Sequence, residues 1–320
     1  MPRMPTSFMG VILAAGKGTR MRPFSTHYPK PLLPVLGKPL IVHQIEIMRG
    51  LGVRDVVIVI GHLGHEVVQR LGDGSRFGMQ FRYVEQEEML GIAHAVSRLD
   101  PHVDRPFFLF LGDIFFETEN LASMAERFGG AQQTAAVLAV RREPDPAAIR
   151  RNFTVEVGVD GRHVVRVVEK PRFPKTDLKG CGIYLFDPAF FDAVRRTPRT
   201  ALREEYEITD AIQIFIEDGY RVEAAEVIRQ DLNVSYARDL LGLNLHLLAR
   251  SGQPNWLGED VQVHPGARIE RCVLMDRAAV DSPVTLRECL VFPGVRVRRA
   301  QDAHRLIFTP EHEIHCEEHD

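Results

Sequence analysis

Between residues 13 and 23 the chain reads LAAGKGTRMRP, in which Gly16 and Gly18 alternate with the cations Lys17, Arg20 and Arg22 before a closing proline. Glycines at this spacing let backbone N–H groups come close to a bound group, and the flanking charges favour an anion. Three glycine-loop chemistries compete. A dinucleotide-binding loop needs a third glycine in G-x-G-x-x-G, and Met21 stands there instead. A Walker-type loop needs Gly-Lys-Ser/Thr opening a helix, whereas Lys17 lies between the glycines and Pro23 follows too soon. The third option is a looser phosphate clamp, with glycine amides around a triphosphate and Arg20 as a forked cation. The neighbouring HYPKPLLPV favours it: Pro29, Pro31 and Pro34 exclude regular helix, so Lys30 is expected on a stiff loop just behind the clamp. The bland alternative is a glycine turn carrying solvated cations.

Other positions carry chemistry by residue type. Asp113 ends the apolar run PFFLFLGD, and a carboxylate at that edge of a parallel sheet is a hard ligand for Mg²⁺, or else a helix cap. Glu169 and Lys170 are neighbours in VVEKP, so their side chains face opposite ways unless Pro171 bends the chain. Gln86 offers a donor and an acceptor to a pyrimidine edge, or is simply an exposed strand end. His94, within GIAHAVSRL, reads as structural rather than catalytic. In HEIHCEEHD, His312, His315, Cys316 and His319 have zinc-like spacing, but the stretch is terminal and polar, so a frayed tail is expected there and no metal.

The elements that must position these groups alternate in type. MGVILAA, DVVIVIG, MQFRYVEQ and PFFLFLGD read as strands, with PLIVHQIEIMRGLG, GHEVVQRLG and GIAHAVSRL as helices between them. That order predicts an α/β fold: a mainly parallel, doubly wound, Rossmann-like sheet covered by helices. NFTVEVGVDGRHVVRVVEKP then predicts a hairpin around Asp160-Gly161, followed by the strand CGIYLF, the helix EITDAIQIFIEDG, the strand YRVEAAEV and the helix ARDLLGLNLHLLAR. Beyond the polar SGQPN the period becomes six: Val261, Ala267, Val273 and Ala279, with a parallel apolar row two residues on. This spacing predicts a short left-handed hexapeptide β-helix, with a meander of antiparallel strands as the alternative. The expected domains are residues 1–250, a linker at 251–258, the β-helix at 259–307 and a polar tail at 308–320.

Composition narrows the partners. The 320 residues are 45% hydrophobic and 26% charged, with 40 Lys+Arg against 43 Asp+Glu for a net charge of −3. No broad basic face is expected, hence no nucleic acid; phosphate binding should be local. Four scattered cysteines without a C-x-x-C pair fit a reduced cytoplasmic protein, and no apolar stretch is long enough to predict membrane insertion.

GVILAAGKGTRMRPFSTHYPKPLLPVLGKPLI resembles the opening motif of the sugar-1-phosphate nucleotidyltransferases, the sugar-nucleotide pyrophosphorylases. The likeness continues in the family's order through EQEEMLGIAHAV, FLGD, VVEKP, CGIYLF, EITDAI and DLNVSYARDLLGLN, over roughly residues 9–250. The hexapeptide tail resembles an appendage of many members. The resemblance implies attack by a sugar-1-phosphate oxygen on the α-phosphorus of an NTP, giving an NDP-sugar and pyrophosphate with Mg²⁺ as cofactor. It implies nucleotide contacts from Leu13, Ala14, Ala15, Gly16, Gly18, Thr19, Arg20, Gln86 and Gly91. Sugar-phosphate contacts would come from Thr154, Glu169, Lys170 and Gly182, catalytic cations from Arg20, Lys30 and Lys170, and metal ligands from Asp113 and Asn233.

Some positions depart from the family. Asn233 stands where many relatives carry Asp, which keeps Asp231 as a fallback ligand, although the bacterial acetylglucosamine-1-phosphate uridylyltransferases are similar in using Asn. Ile92 replaces a usual Thr and His94 a small residue near the base. Thr154 replaces a Gly and Gly180 a frequent Asn near the hexose, which raises a sugar outside the gluco pattern. The expected substrates are UTP or dTTP with a hexose 1-phosphate, in a cytoplasmic homo-oligomer. Mannose- or heptose-1-phosphate guanylyltransfer and a silent regulatory paralogue are the alternatives. The presence of Arg20, Lys30, Asp113 and Lys170 speaks against the silent one.

Overall fold

The computed structural model describes residues 7–200 and 204–316. Its contacts divide the chain into two compact units, Met1–Gly16 with Gln44–Asp231 and Lys17–His43 with Leu232–Asp320. The division therefore cuts the glycine loop itself. It also groups the helix Ala237–Ser251 with the C-terminal strands rather than with the preceding sheet.

The first unit is a nine-stranded sheet. Four strands form its parallel core in the spatial order Phe107–Leu111, Met9–Ala14, Asp55–Ile60 and Gln80–Glu85. The apolar runs of the first three are buried on both faces, as βαβ connections require: Met9, Val11, Ile12, Val57, Ile58 and Phe107 to Phe110 have essentially no exposed surface. Leu178–Phe186 continues the sheet antiparallel to Phe107–Leu111. On its far side it pairs with Thr134–Arg142, which pairs in parallel with Arg221–Glu226. The hairpin forms as its turn residues dictate: Phe153–Val157 pairs with Val164–Glu169, Gly161 takes φ +67°, and Asp160 Oδ1 accepts from the amides of Arg162 and His163.

In the second unit, Trp256 pairs with Val273, Val273 with Leu290 and Leu290 with Ile307, a constant step of 17 residues. Two further parallel sheets, one starting at Gln262–Val263 and one at Arg268–Glu270, repeat the same step. The strands thus make three sides of a coil, as in a β-helix, one residue shorter per turn than three hexapeptides. The corners explain this. Left-handed backbone recurs at Asp260, Arg277 and Gly294 and again at Arg271, Glu288 and Arg305, so a bend closes without a further residue. At the second corner, Glu288 joins Arg271 at 2.7 Å and Arg305 at 3.2 Å, a charge ladder that offsets part of the cost of left-handed non-glycine residues.

The tail corrects an expectation. Instead of fraying, Glu313–His315 pairs antiparallel with Leu306–Phe308, because Ile314 falls opposite Ile307 and Thr309 Oγ1 accepts from the amide of His312 to close the turn. His319 lies outside the described residues. Among those described, no three His, Cys, Asp or Glu gather as for a metal ion, and no helix is long and apolar enough to cross a membrane.

Candidate active site

In an open parallel sheet, ligands bind beyond the carboxyl ends of the strands where the order of connection reverses. Met9–Ala14 is that place in the first unit, since its neighbours are Asp55–Ile60 on one side and Phe107–Leu111 on the other. Leu13 stands opposite Leu111, and the Gly112 amide donates to the Leu13 carbonyl at 2.9 Å. A Cβ on Gly112 would lie 2.6 Å from that oxygen, so only glycine lets the two strand ends meet. Asp113 follows in the chain, half-buried, just past the strand end that meets Leu13.

Gln44 holds this turn. Fully buried, its Nε2 donates to the carbonyls of Leu111 at 2.8 Å and Ile114 at 2.7 Å, bracketing Asp113. Nothing in PLIVHQIEIMRGLG marks this role except a polar residue on the buried side of the helix Leu40–Gly50. Gln86 sits at the same edge, buried, with its amide donating to Ile60 and its side chain meeting His94. Gly91, at φ +105°, lies against the backbone of Tyr206.

The hairpin strand ends at Glu169, and Lys170 turns to φ +42°, so the two side chains fall on one side with Nζ 3.4 Å from Oε1. The bend that Pro171 made conceivable is therefore present. Thr209 Oγ1 donates to Glu169 at 3.3 Å. Burial first, and the charge of Glu207 second, hold the Glu169 carboxyl above its ordinary range, with Lys170 and Thr209 pulling it down. An acid with a raised folded-state pKa penalises the fold above that pKa, and the penalty is relieved as the pH falls through it. Glu169→Gln is accordingly expected to melt above the parent at neutral pH, with the gain vanishing in acid, while turnover falls; thermal scans across pH check this.

Gly182, at φ +75°, has Leu111 and Ile114 side chains 3.0 Å from where a Cβ would be. Thr154 is buried on its strand, opposite Val168 and Lys179. Gly180 has a plain reason to lack a side chain: the Phe153 ring fills the place, 1.8 Å from a hypothetical Cβ. Its departure from the family Asn is thus matched by a ring packed into the vacated space.

Gly18, Thr19, Arg20, Lys30 and Asn233 belong to the second unit. Gly18 adopts φ +60°, and a Cβ there would lie 3.8 Å from that of Lys30, so the loop's second glycine and the proline-flanked lysine are brought together. The loop is tied to its own unit at several points. Phe24 stacks on Phe292 at 5.8 Å and Tyr28 meets the same ring edge-on at 5.5 Å. The buried Asn244 accepts from the Leu36 amide at 2.9 Å and donates to Pro34 at 3.1 Å.

Asn233 is exposed at the end of Ile228–Asn233, and its Oδ1 accepts from Ser235 Oγ at 3.2 Å. Asp231 is engaged elsewhere, in an ion network. Lys179 Nζ lies 2.7 Å from both its carboxylate oxygens, and Arg141 Nε donates to it at 2.7 Å. Both donor sets are hard oxygens, as Mg²⁺ requires, but only the Asn233 side chain is accessible.

The profile of the nucleotidyl transferase family matches residues 9–239. The chain belongs to this family. A glucose-1-phosphate thymidylyltransferase of Streptomyces griseus is 35% identical over 284 residues, 88% of this chain and 75% of that protein. A UTP–glucose-1-phosphate uridylyltransferase, AglF, of Haloferax volcanii is 34% identical over 229 residues, 72% of this chain and 92% of that one. A UDP-glucose pyrophosphorylase solved with UDP-glucose shares the fold, at a TM-score of 0.66, 20% identity and coverage of 76% of this chain and 99% of that one.

In this nucleotidyl transferase two of the quoted motifs meet at one ring. The Arg20 guanidinium lies 5.7 Å from the Tyr236 ring centre and that of Arg238 lies 4.9 Å from it, so one half-open ring carries two cations. Such contacts contribute about 0.5–2 kcal/mol. With Arg20 expected to bind the triphosphate, Tyr236→Leu should raise the KM for NTP by about three- to thirtyfold, while Tyr236→Phe, which keeps the ring, stays near the parent in steady-state assays.

Proposed function

We propose that the protein transfers a nucleoside monophosphate from dTTP or UTP to glucose 1-phosphate, releasing pyrophosphate and an NDP-glucose. The observation that carries this reading is the Asp113 turn at the sheet's switch point, braced by Gln44 and joined to the end of the first strand. The activities for which the relatives are named supply the substrates.

Each residue has a part in the proposal. The amides of Gly16 and Gly18, with Leu13, Ala14, Ala15 and Thr19 around them, receive the triphosphate, and Arg20 and Lys30 neutralise the charge that grows on the leaving pyrophosphate. Gln86 and Gly91 meet the base. Lys170 pairs with the sugar phosphate and aligns its oxygen for in-line attack, while Glu169, Thr154 and Gly182 border the hexose. Asp113 and Asn233 are the proposed oxygen donors to Mg²⁺, which when bound would polarise the phosphates. The C-terminal coil is read as the left-handed hexapeptide appendage of the family. Assembly as a homo-oligomer in the cytoplasm completes the proposal, supported there by four buried free thiols.

Pyrophosphate release over a matrix of five NTPs and several hexose 1-phosphates with Mg²⁺ tests it. The highest kcat/KM is expected for dTTP or UTP with glucose 1-phosphate. A preference for GTP with mannose 1-phosphate would overturn the substrate assignment, and no release with any pair would overturn the reaction.

A further inference from the structure

Gln86 can read a base only if the two ends of its amide are told apart, because rotation by half a turn exchanges an acceptor for a donor. The amide N–H of its backbone is fixed on the Ile60 carbonyl at 2.8 Å, and only 5% of the residue is exposed. Its Nε2 lies 3.2 Å from His94 Nδ1. In the tautomer with its proton on Nε2, the ring offers Nδ1 as the acceptor for that amide NH₂.

The imidazole is held in turn. It stacks on the Tyr206 ring at 6.2 Å with an interplanar angle of 29°. The turn of chain bearing His94 is locked to the backbone of Tyr206: Ala93 N–H donates to the Tyr206 carbonyl at 2.9 Å, and Tyr206 N–H donates to Leu90 at 2.7 Å. A Cβ on Gly91 would come within 2.6 Å of the Tyr206 carbonyl oxygen, so that approach is built on glycine.

We infer that His94, with its proton on Nε2, is a positioning residue for nucleobase selection: by accepting from Gln86 Nε2 it leaves Oε1 as the face offered to the base. An acceptor there complements the N3–H of uracil or thymine and the N1–H of guanine. It repels the lone pair at N3 of cytosine or N1 of adenine. Flipping the amide would set Oε1 against Nδ1 and would need the ring proton to move to that nitrogen, so the contact couples the amide's orientation to one tautomer. This rests on the reading of Gln86 as the base-contacting side chain.

The test is the ratio of kcat/KM for UTP over CTP, measured for the parent, His94→Phe, His94→Asn, Gln86→Ala and the Gln86→Ala/His94→Phe double variant. His94→Phe keeps a ring against Tyr206 and removes the acceptor; the ratio is expected to fall by about ten- to hundredfold, mostly through KM. His94→Asn restores an acceptor near the same place and should recover most of it, which also serves if the phenylalanine variant folds poorly. In the Gln86→Ala background, His94→Phe should change nothing further. A ratio untouched by His94→Phe but lowered by Gln86→Ala overturns the role of His94 and leaves the base reading standing. A ratio untouched by Gln86→Ala overturns the base reading itself. An effect of His94→Phe that persists without Gln86 shows a merely structural role and also overturns the inference.

Discussion

Asp113→Ala should lower kcat by about 10³-fold while the protein melts close to the parent temperature, as read by pyrophosphate release at saturating substrates and by thermal denaturation. The backbone of the turn is held by bonds that alanine retains. Gly112 N–H is bound to Leu13, and the carbonyls on either side of Asp113 are held by Gln44. Alanine keeps all of those bonds. What it removes is a carboxylate at the carboxyl edge where the sheet's connections reverse, the group proposed above as a hard oxygen donor to the divalent ion. Asp113→Asn retains one neutral oxygen of the same reach and should fall between the two. A variant that turns over normally at the parent's Mg²⁺ optimum would remove Asp113 from the chemistry.

The candidate residues divide by how far their reasons extend along the chain. Gly16, Gly18, Arg20, Lys30 and Asp113 could be named as candidates from the sequence because their signals are local: glycine spacing, prolines that exclude helix, an acid closing an apolar run. The parallel core was legible for the same reason, since alternating buried runs and amphipathic helices leave few other ways to hide them. Gln44, Tyr236 and Lys179 were not. Each acquires its role from a partner distant in sequence, Leu111 and Ile114 for the first, Arg20 for the second, Asp231 for the third. The six-residue period pointed to the coil but not to its 17-residue turn, because the missing residue is absorbed at corners where Arg271 and Glu288 adopt left-handed backbone. The polar tail misled for a related reason: one isoleucine, Ile314, finds Ile307 across an antiparallel pair, and composition does not show that partner.

Asp231 and Asn233 are two residues apart, and their variants should fail in opposite ways. Asp231→Asn is expected to cost about 3–5 kcal/mol of stability in urea denaturation, because it leaves a buried ammonium without its counter-charge. Lys179 and Asp231 expose only 5% and 7% of their side chains, and Arg141, which also pairs with Glu143, adds a second cation to the same carboxylate. Removing both partners should hurt less than removing one: Lys179→Met with Asp231→Leu replaces a desolvated pair by apolar packing and is expected to regain most of the loss. Asn233→Ala behaves differently. Its side chain is exposed and its hydrogen bond to Ser235 is a surface one, so stability should hold within about 0.5 kcal/mol. Turnover should nevertheless drop by about 10²–10³-fold, because the side chain proposed as a metal donor is lost. The pair of measurements separates the assignments because the ion network predicts a folding defect and the ligand reading predicts a catalytic one. A stable Asp231→Asn protein without activity, beside a fully active Asn233→Ala, would move the metal donor to Asp231 and require Lys179 to release it.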